Sequence, residues 1–294
     1  MRQVRPKKNL GQHFLTDLAI ARRIADTVDA CPALPVLEVG PGMGVLTQFL
    51  AEKERPLSVV EIDKESVDYL RQHFPEFLLG QGTKGQESCL LEDTGTKGDS
   101  MAYRQIIEGD FLRMDLRQLF GGQPFVLTGN YPYDISSQIF FKMLDFRDLI
   151  PCCTGMIQHE VALRIAAPPC NKQYGILSVL IQAWYDVEYL FTVEPSVFNP
   201  PPTVQSAVIR MTRNSTDTLG CDEQLFRRVV KATFGQRRKM LRVSLRQLLP
   251  SLPPQLADSP LMTLRPEQLT IADFVQLTNL ISEWALQTDR GKQS

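Results

Sequence analysis

The stretch "LEVGPGMGVLTQFL", residues 37–50, decides how the chain is read. With Val36 it begins as a short apolar strand, and Gly40 closes that strand. From Gly44 to Lys53 the apolar spacing becomes helical. A strand, a glycine turn and a helix in succession open an α/β unit of the ligand-binding kind. The glycines let the backbone turn tightly and let a ligand approach the main chain. The first turn of the helix offers free N–H groups to a carboxylate or phosphate. The dinucleotide pattern G-x-G-x-x-G is not met. Its third glycine comes one residue early, at Gly44, and Val45 stands in the expected place. That mismatch weighs against an NAD-dependent dehydrogenase.

Outward from this stretch, strand-like runs at 57–63, 105–111, 124–130 and 154–158 alternate with helical runs at 64–74, 159–167 and 174–185. Two late strands follow at 187–194 and 206–213. The alternation predicts a mostly parallel sheet covered by helices on both faces. A proline-rich loop rather than a helix joins the last two strands, which predicts an antiparallel strand at the sheet edge. Residues 79–103 are rich in Gly, Ser, Thr and charge and read as a flexible surface insertion. After 213 the pattern is helical, so a catalytic domain over 1–213 and a small all-helical domain over 214–294 are expected.

The chain has 294 residues, 43% hydrophobic and 22% charged, the balance of a globular protein. No apolar run approaches the ~20 residues a membrane span needs. The start, "MRQVRPKKNLGQHFL", is basic and lacks the apolar core of a signal peptide, so a cytoplasmic protein with no membrane partner is expected. The six cysteines form no C-x-x-C pair and the three histidines lie far from them in sequence. Reduced thiols, with no metal site and no disulfide framework, are the expectation. Net charge is −1, yet "MRQVRPKKN" and residues 226–246 contain no acid at all. Such patches are what a phosphate backbone senses.

Polar residues stand at successive strand ends. Glu61 closes the second strand about 20 residues beyond the glycines, where an acid accepts from both ribose hydroxyls of a nucleoside. Asp63, two residues on, suits a helix cap. Asp110 closes the third strand, with Phe111 beside it to pack on an adenine. The fourth strand runs into "GNYPYDIS", residues 129–136. The Asn130 carbonyl oxygen accepts from an exocyclic amine. Pro132 pushes Tyr131 out of the helical region, so that its carbonyl points into the same space. Tyr133 offers a flat face to a base. Asp134 is expected to cap the helix that follows. Tyr131 is expected to act through its backbone, so exchange for leucine should be mild.

"KKNLGQHFLTD", "LEVGPGMGVLT", "VEID", "EGDF", "GNYPYDISS" and "FNPPPTVQSAVIR" occur here in the order found in the ribosomal RNA adenine N6-dimethyltransferases. The chain resembles that family over nearly its whole length, the 79–103 stretch excepted, and most resembles its bacterial small-subunit branch. The resemblance implies a Rossmann-like class I methyltransferase fold of α/β type, with a mostly parallel sheet and a small helical C-terminal domain. It implies S-adenosylmethionine held by His13, Leu15, Glu38, Gly40, Gly42, Glu61, Ile62, Asp110, Phe111 and Asn130. It implies a catalytic set of Asn130, Tyr131, Pro132 and Tyr133, with Phe198 sandwiching the target adenine against Tyr133. Lys7, Lys8, Arg237, Arg238, Lys239 and Arg242 are expected to hold RNA phosphates. The implied reaction is dimethylation of two adjacent adenosines of 16S rRNA in the small ribosomal subunit, by a monomer, with a role in ribosome biogenesis. The alternatives are a large-subunit 23S rRNA adenine N6-methyltransferase and a non-catalytic rRNA-binding assembly factor. Two positions depart from the family pattern. Tyr131 replaces the usual Leu or Ile, and His13 replaces an Asn found in many relatives.

Overall fold

In the computed structural model, residues 13–77, 104–249, 252 and 254–291 are described. Lys7, Lys8 and the 79–103 stretch lie outside them. The described strands are β1 (Phe14–Leu15), β2 (Val36–Val39), β3 (Leu57–Glu61), β4 (Arg104–Glu108), β5 (Val126–Thr128), β6 (Cys152–Gln158), β7 (Tyr185–Val193), β8 (Phe198–Asn199) and β9 (Ser206–Arg213). Seven of them build one sheet in the order β4-β3-β2-β5-β6-β9-β7. β4, β3, β2, β5 and β6 run parallel. Every residue of β2, β3 and β5 is buried, because helices cover a parallel sheet on both faces and leave no polar alternation.

Chain order places the ligand crevice. From β2 the chain moves outward through β3 and β4, then returns to β5 on the other side of β2. This reversal opens a gap at the carboxyl ends of β2 and β5, where α/β sheets bind ligands. Register keeps the strand tips level, with Val36 beside both Leu57 and Val126, and Glu38 beside both Val59 and Thr128.

The antiparallel strand is β9, and it lies inside the sheet rather than at its edge, between β6 and β7. Composition explains the correction. β9 carries the apolar run Ala207–Ile209, buried throughout, whereas β7 is largely half-exposed or exposed and suits an edge. Asp17 caps the helix Leu18–Asp26 by accepting from Ala19 and Ile20 N–H, and Asp63 caps Lys64–His73 by accepting from Glu65 N–H. Asp134 does not cap. The helix Ser136–Asp145 is entered through a single 3₁₀ turn, Tyr133–Ile135, without a side-chain cap. Cys31 and Cys152 are joined as a disulfide, which corrects the expectation of reduced thiols. Packing brings their Cα atoms to 5.9 Å, within bonding reach.

Two compact units divide the chain. One comprises 1–162 and 188–213, and the other 163–187 and 214–294. The first holds most of the sheet and its core. In the second, the helices Glu223–Gly235 and Ile271–Gly291 bury Phe226, Val229, Val230, Phe274 and Leu277. The helical pattern read through 226–246 is interrupted, so Arg237, Arg238 and Lys239 sit on a turn between Glu223–Gly235 and Leu241–Ser244. Among the described residues no helix is long and apolar enough to cross a membrane.

Gly129, just past β5, is a point where packing permits no side chain. A Cβ there would stand 2.6 Å from the Val39 carbonyl oxygen. Gly129→Ala should therefore force β2 and β5 apart and destabilise the protein by about 2–3 kcal/mol. Urea denaturation measures this, and an unchanged midpoint would contradict the packing described.

Candidate active site

A cavity of about 250 Å³ opens at the carboxyl ends of β2, β3, β4 and β5. Its floor is the loop after β2. Gly40 and Gly42 both adopt positive φ, 70° and 56°, which L side chains resist. The turn aims the Gly42 N–H at Glu61 Oε2, 3.0 Å away. Glu61 Oε1 accepts from the Ile62 and Asp63 N–H groups, each at 2.9 Å. Burial raises the Glu61 carboxyl above its ordinary range while these three N–H groups pull it back. A carboxylate offers about four acceptor sites, so one further donor can be met.

Glu38 is the other buried acid of the floor, only 1% exposed. It accepts from the Thr47 hydroxyl at 2.7 Å. Burial pushes its carboxyl up to about 8; the Thr47 hydroxyl opposes this and the nearby Glu61 adds to it. Beside it in register, the buried Thr128 hydroxyl has no hydrogen-bond partner.

At the β4 end, Asp110 Oδ1 accepts from Leu112 N–H at 2.9 Å and Oδ2 lies 3.3 Å from Arg113 Nε. Ile62 and Phe111 add apolar surface to the cavity wall. The Lys142 ammonium sits 5.3 Å from the Phe111 ring centroid and donates to the Met114 carbonyl.

The β5 end carries the Asn130–Tyr133 turn. Asn130 Nδ2 donates to the His13 carbonyl at 3.3 Å. A carbonyl only accepts, so Nδ2 faces it and, among the described residues, Oδ1 is left free. Among the described residues nothing donates to the Tyr131 carbonyl. Two acceptor oxygens on adjacent residues are thus unspent. The Tyr131 ring points the other way, into the core. It is 1% exposed, packs edge-on against Phe140, and its hydroxyl donates to the Thr154 carbonyl at 3.0 Å. Tyr133 is half-buried, with its hydroxyl 2.5 Å from Ser206 Oγ on β9.

The N-terminal arm closes this side. β1 pairs with β8, setting Leu15 beside Phe198. His13 Nδ1 donates to the Pro200 carbonyl at 2.9 Å, and the imidazole stacks on Tyr133 with centroids 5.5 Å apart. His13, Tyr133 and Asp134 also border a second cavity of about 260 Å³, walled by Gln158 and Pro201–Val204.

Of the residues singled out in the sequence, His13, Leu15, Glu38, Gly40, Gly42, Glu61, Ile62, Asp110, Phe111 and Asn130–Tyr133 converge on the first cavity. Phe198 does not. It is 4% exposed, belongs to the core with Leu15 and Ile24, and lines neither cavity. The ring that faces Tyr133 is His13. Ser206 and the second cavity were missed, although Ser206 lies within the "NPPPTVQSAVIR" stretch. In the helical unit Arg237 pairs with Glu267 at 2.9 Å and donates to the Asn171 carbonyl, while Arg238, Lys239 and Arg242 are exposed.

The charge of the cavity limits its ligand. Glu38, Glu61, Asp110 and Asp134 line it and, among the described residues, no lysine or arginine does. A pyrophosphate would meet carboxylates and no cation, which disfavours a dinucleotide. S-adenosylmethionine, with a sulfonium, an ammonium and ribose hydroxyls, fits this donor and acceptor set.

Comparison with known proteins agrees. Residues 3–82 and 89–283 match the family described as "Ribosomal RNA adenine dimethylase". A Phocaeicola vulgatus protein named ribosomal RNA small subunit methyltransferase A is 62% identical over 278 residues, 95% of this chain and 90% of its own length. A Bacteroides thetaiotaomicron protein of the same name is 61% identical, covering 98% of both chains. Among solved structures, a dimethyladenosine transferase from Plasmodium falciparum superposes with a TM-score of 0.68 at 21% identity, over 92% of this chain and 98% of that one. The 23S rRNA methyltransferase ErmE gives 0.61 at 24% identity, over 90% and 99%. The last two likenesses establish the fold, that of class I S-adenosylmethionine-dependent methyltransferases.

The buried ring revises one expectation. Tyr131→Leu should not be mild, because it empties space beside Phe140 and removes the hydroxyl's bond to the Thr154 carbonyl and its 3.2 Å contact with Cys153 Sγ. It should cost about 2–3 kcal/mol, and Tyr131→Phe about 1 kcal/mol, as read by thermal or urea unfolding. Equal stability of all three proteins would show that the ring is not packed as described.

Proposed function

The chain belongs to the ribosomal RNA adenine dimethylase family, and on that premise we propose that it converts two adjacent adenosines near the 3′ end of 16S rRNA to N6,N6-dimethyladenosine. The methyl donor of the family is S-adenosylmethionine. The substrate in this reading is the RNA within the small ribosomal subunit, and the enzyme acts as a cytoplasmic monomer during ribosome biogenesis. The observation that carries the reading is the pair of unspent acceptors, Asn130 Oδ1 and the Tyr131 carbonyl, next to the half-buried Tyr133 ring.

The bound cofactor supplies a methyl group already electrophilic on its sulfonium. Glu61 would accept from a ribose hydroxyl at its one remaining acceptor site, Asp110 would accept from the adenine amine, and the Gly40–Gly42 turn would let the methionine portion approach the backbone. The target adenine leaves its stack, which costs least in an RNA loop, and lies against Tyr133. Asn130 Oδ1 and the Tyr131 carbonyl accept from its N6 hydrogens. This holds the lone pair toward the methyl and favours a tetrahedral nitrogen. With the donor bound in this cavity, its sulfonium would supply the methyl to the N6 lone pair that Asn130 and Tyr131 orient, and the N6 proton would pass to water. Alignment of this kind contributes several kcal/mol. No general base is needed, since the alkylated amine loses its proton readily.

Residues 1–213 carry this chemistry in the proposal, and 214–294 hold RNA. Arg238, Lys239 and Arg242 are exposed and suited to phosphates, whereas Arg237 is committed to Glu267 and Asn171. Reversing Arg238 and Lys239 together should reduce the salt slope of RNA binding by about 0.7–0.9 for each phosphate no longer neutralised. An unchanged slope would remove the turn from the RNA interface. The reaction itself is tested by incubating the protein with labelled S-adenosylmethionine and unmethylated small or large ribosomal subunits, followed by nucleoside analysis. Dimethyladenosine in the small subunit is expected. Label in the large subunit alone, or none in either, would refute the assignment.

A further inference from the structure

Four carboxyl side chains line the cavity, and three have their charge provided for. Glu61 spreads its charge over three backbone N–H groups, Asp110 meets Leu112 N–H and Arg113, and Asp134 is exposed. Glu38 differs. It is 1% exposed, with the Thr47 hydroxyl as its one hydrogen-bond partner among the described residues. Among the described residues the groups around it offer no lysine or arginine. Thr47 faces it from the helix Thr47–Ala51, Thr128 from β5 and Glu61 from the end of β3, with His13, Asp110 and Asp134 further round the cavity.

A carboxyl in such surroundings stays neutral until a positive charge arrives. The methyl donor brings one on its sulfonium, and methyl transfer removes it, leaving a neutral thioether. We propose that Glu38 makes the site distinguish the charged donor from its spent product: its carboxyl ionises as the donor binds and is reprotonated once the methyl has left. On binding, the Glu38 O–H bond breaks and the proton passes to water. After transfer, Glu38 takes a proton back from water, and the product is held by one charge interaction fewer. The inference rests on the cavity being the S-adenosylmethionine site. The Glu38 pKa, pushed up to about 8 by burial, agrees with it, because the carboxyl is then mostly neutral at pH 7.

The pH dependence follows in sign. Below about pH 8 the ionised fraction of Glu38 rises tenfold per pH unit, and affinity for the donor rises with it. The α-ammonium is common to donor and product, so it cancels in the ratio of their affinities. Isothermal titration calorimetry of the full-length protein with S-adenosylmethionine and S-adenosylhomocysteine, at pH 6, 7 and 8 and in two buffers of different ionisation enthalpy, reads both quantities. At pH 6 and 7 the donor should release close to one proton and the product distinctly fewer. The donor-to-product affinity ratio should rise by up to about tenfold per pH unit and flatten above pH 8. Glu38→Gln should make the ratio independent of pH. Thr47→Val should move the flattening to higher pH, because the hydroxyl favours the charged carboxyl. Equal proton release by the two ligands, or a pH-dependent ratio that persists in Glu38→Gln, would overturn the proposal. Should Glu38→Gln fail to fold, the wild-type proton count and Thr47→Val still decide. If neither ligand binds the wild-type protein, the cofactor reading fails with it; if both bind without differential proton release, only the role of Glu38 fails.

Discussion

The alignment of β2 with β3 and β5 is the constraint on which the site depends. In-register parallel pairing brings Glu38, Glu61 and, two residues past β5, Asn130 to one rim. A shift of one residue in any of these strands would turn its side chains to the other face. Close packing keeps the register: Gly129 passes the Val39 carbonyl with no space for a side chain. The fold and the chemistry therefore rest on the same packing.

At that rim the protein leaves acceptors free where an amine is to be held, and ties down everything behind them. The Asn130 amide is oriented by the His13 carbonyl, and the Tyr131 backbone is fixed by a ring buried against Phe140 and bonded to Thr154. Tyr133 is anchored through Ser206. The motif thus draws on β5, β6, β9 and the N-terminal arm. Orientation is set before substrate arrives, as positioning catalysis requires.

Much of this was legible in the sequence because the signals were local. The glycine turn after an apolar strand, and an acid about 20 residues beyond it at the end of the next strand, each follow from backbone geometry within one α/β unit. What escaped depended on distant segments. That Phe198 turns into the core while His13 faces Tyr133 is decided by β1 pairing with β8, an arm and a loop far apart in sequence. That β9 enters the sheet beside β6 depends on which of two late strands is more apolar. Arg237 looked like part of a basic surface until folding set Glu267 against it. Asp134 follows a helix-cap pattern, but the entry to that helix is shaped by the proline turn instead.

The central claim is that Asn130 Oδ1 holds the target amine in line with the methyl group. Parallel measurement of cofactor affinity and single-turnover methyl transfer to small ribosomal subunits, in wild type and Asn130→Ala, tests it most directly. The account predicts a folded variant whose cofactor affinity changes by less than about tenfold while transfer falls by about 10²–10³. Transfer within a few-fold of wild type would contradict it.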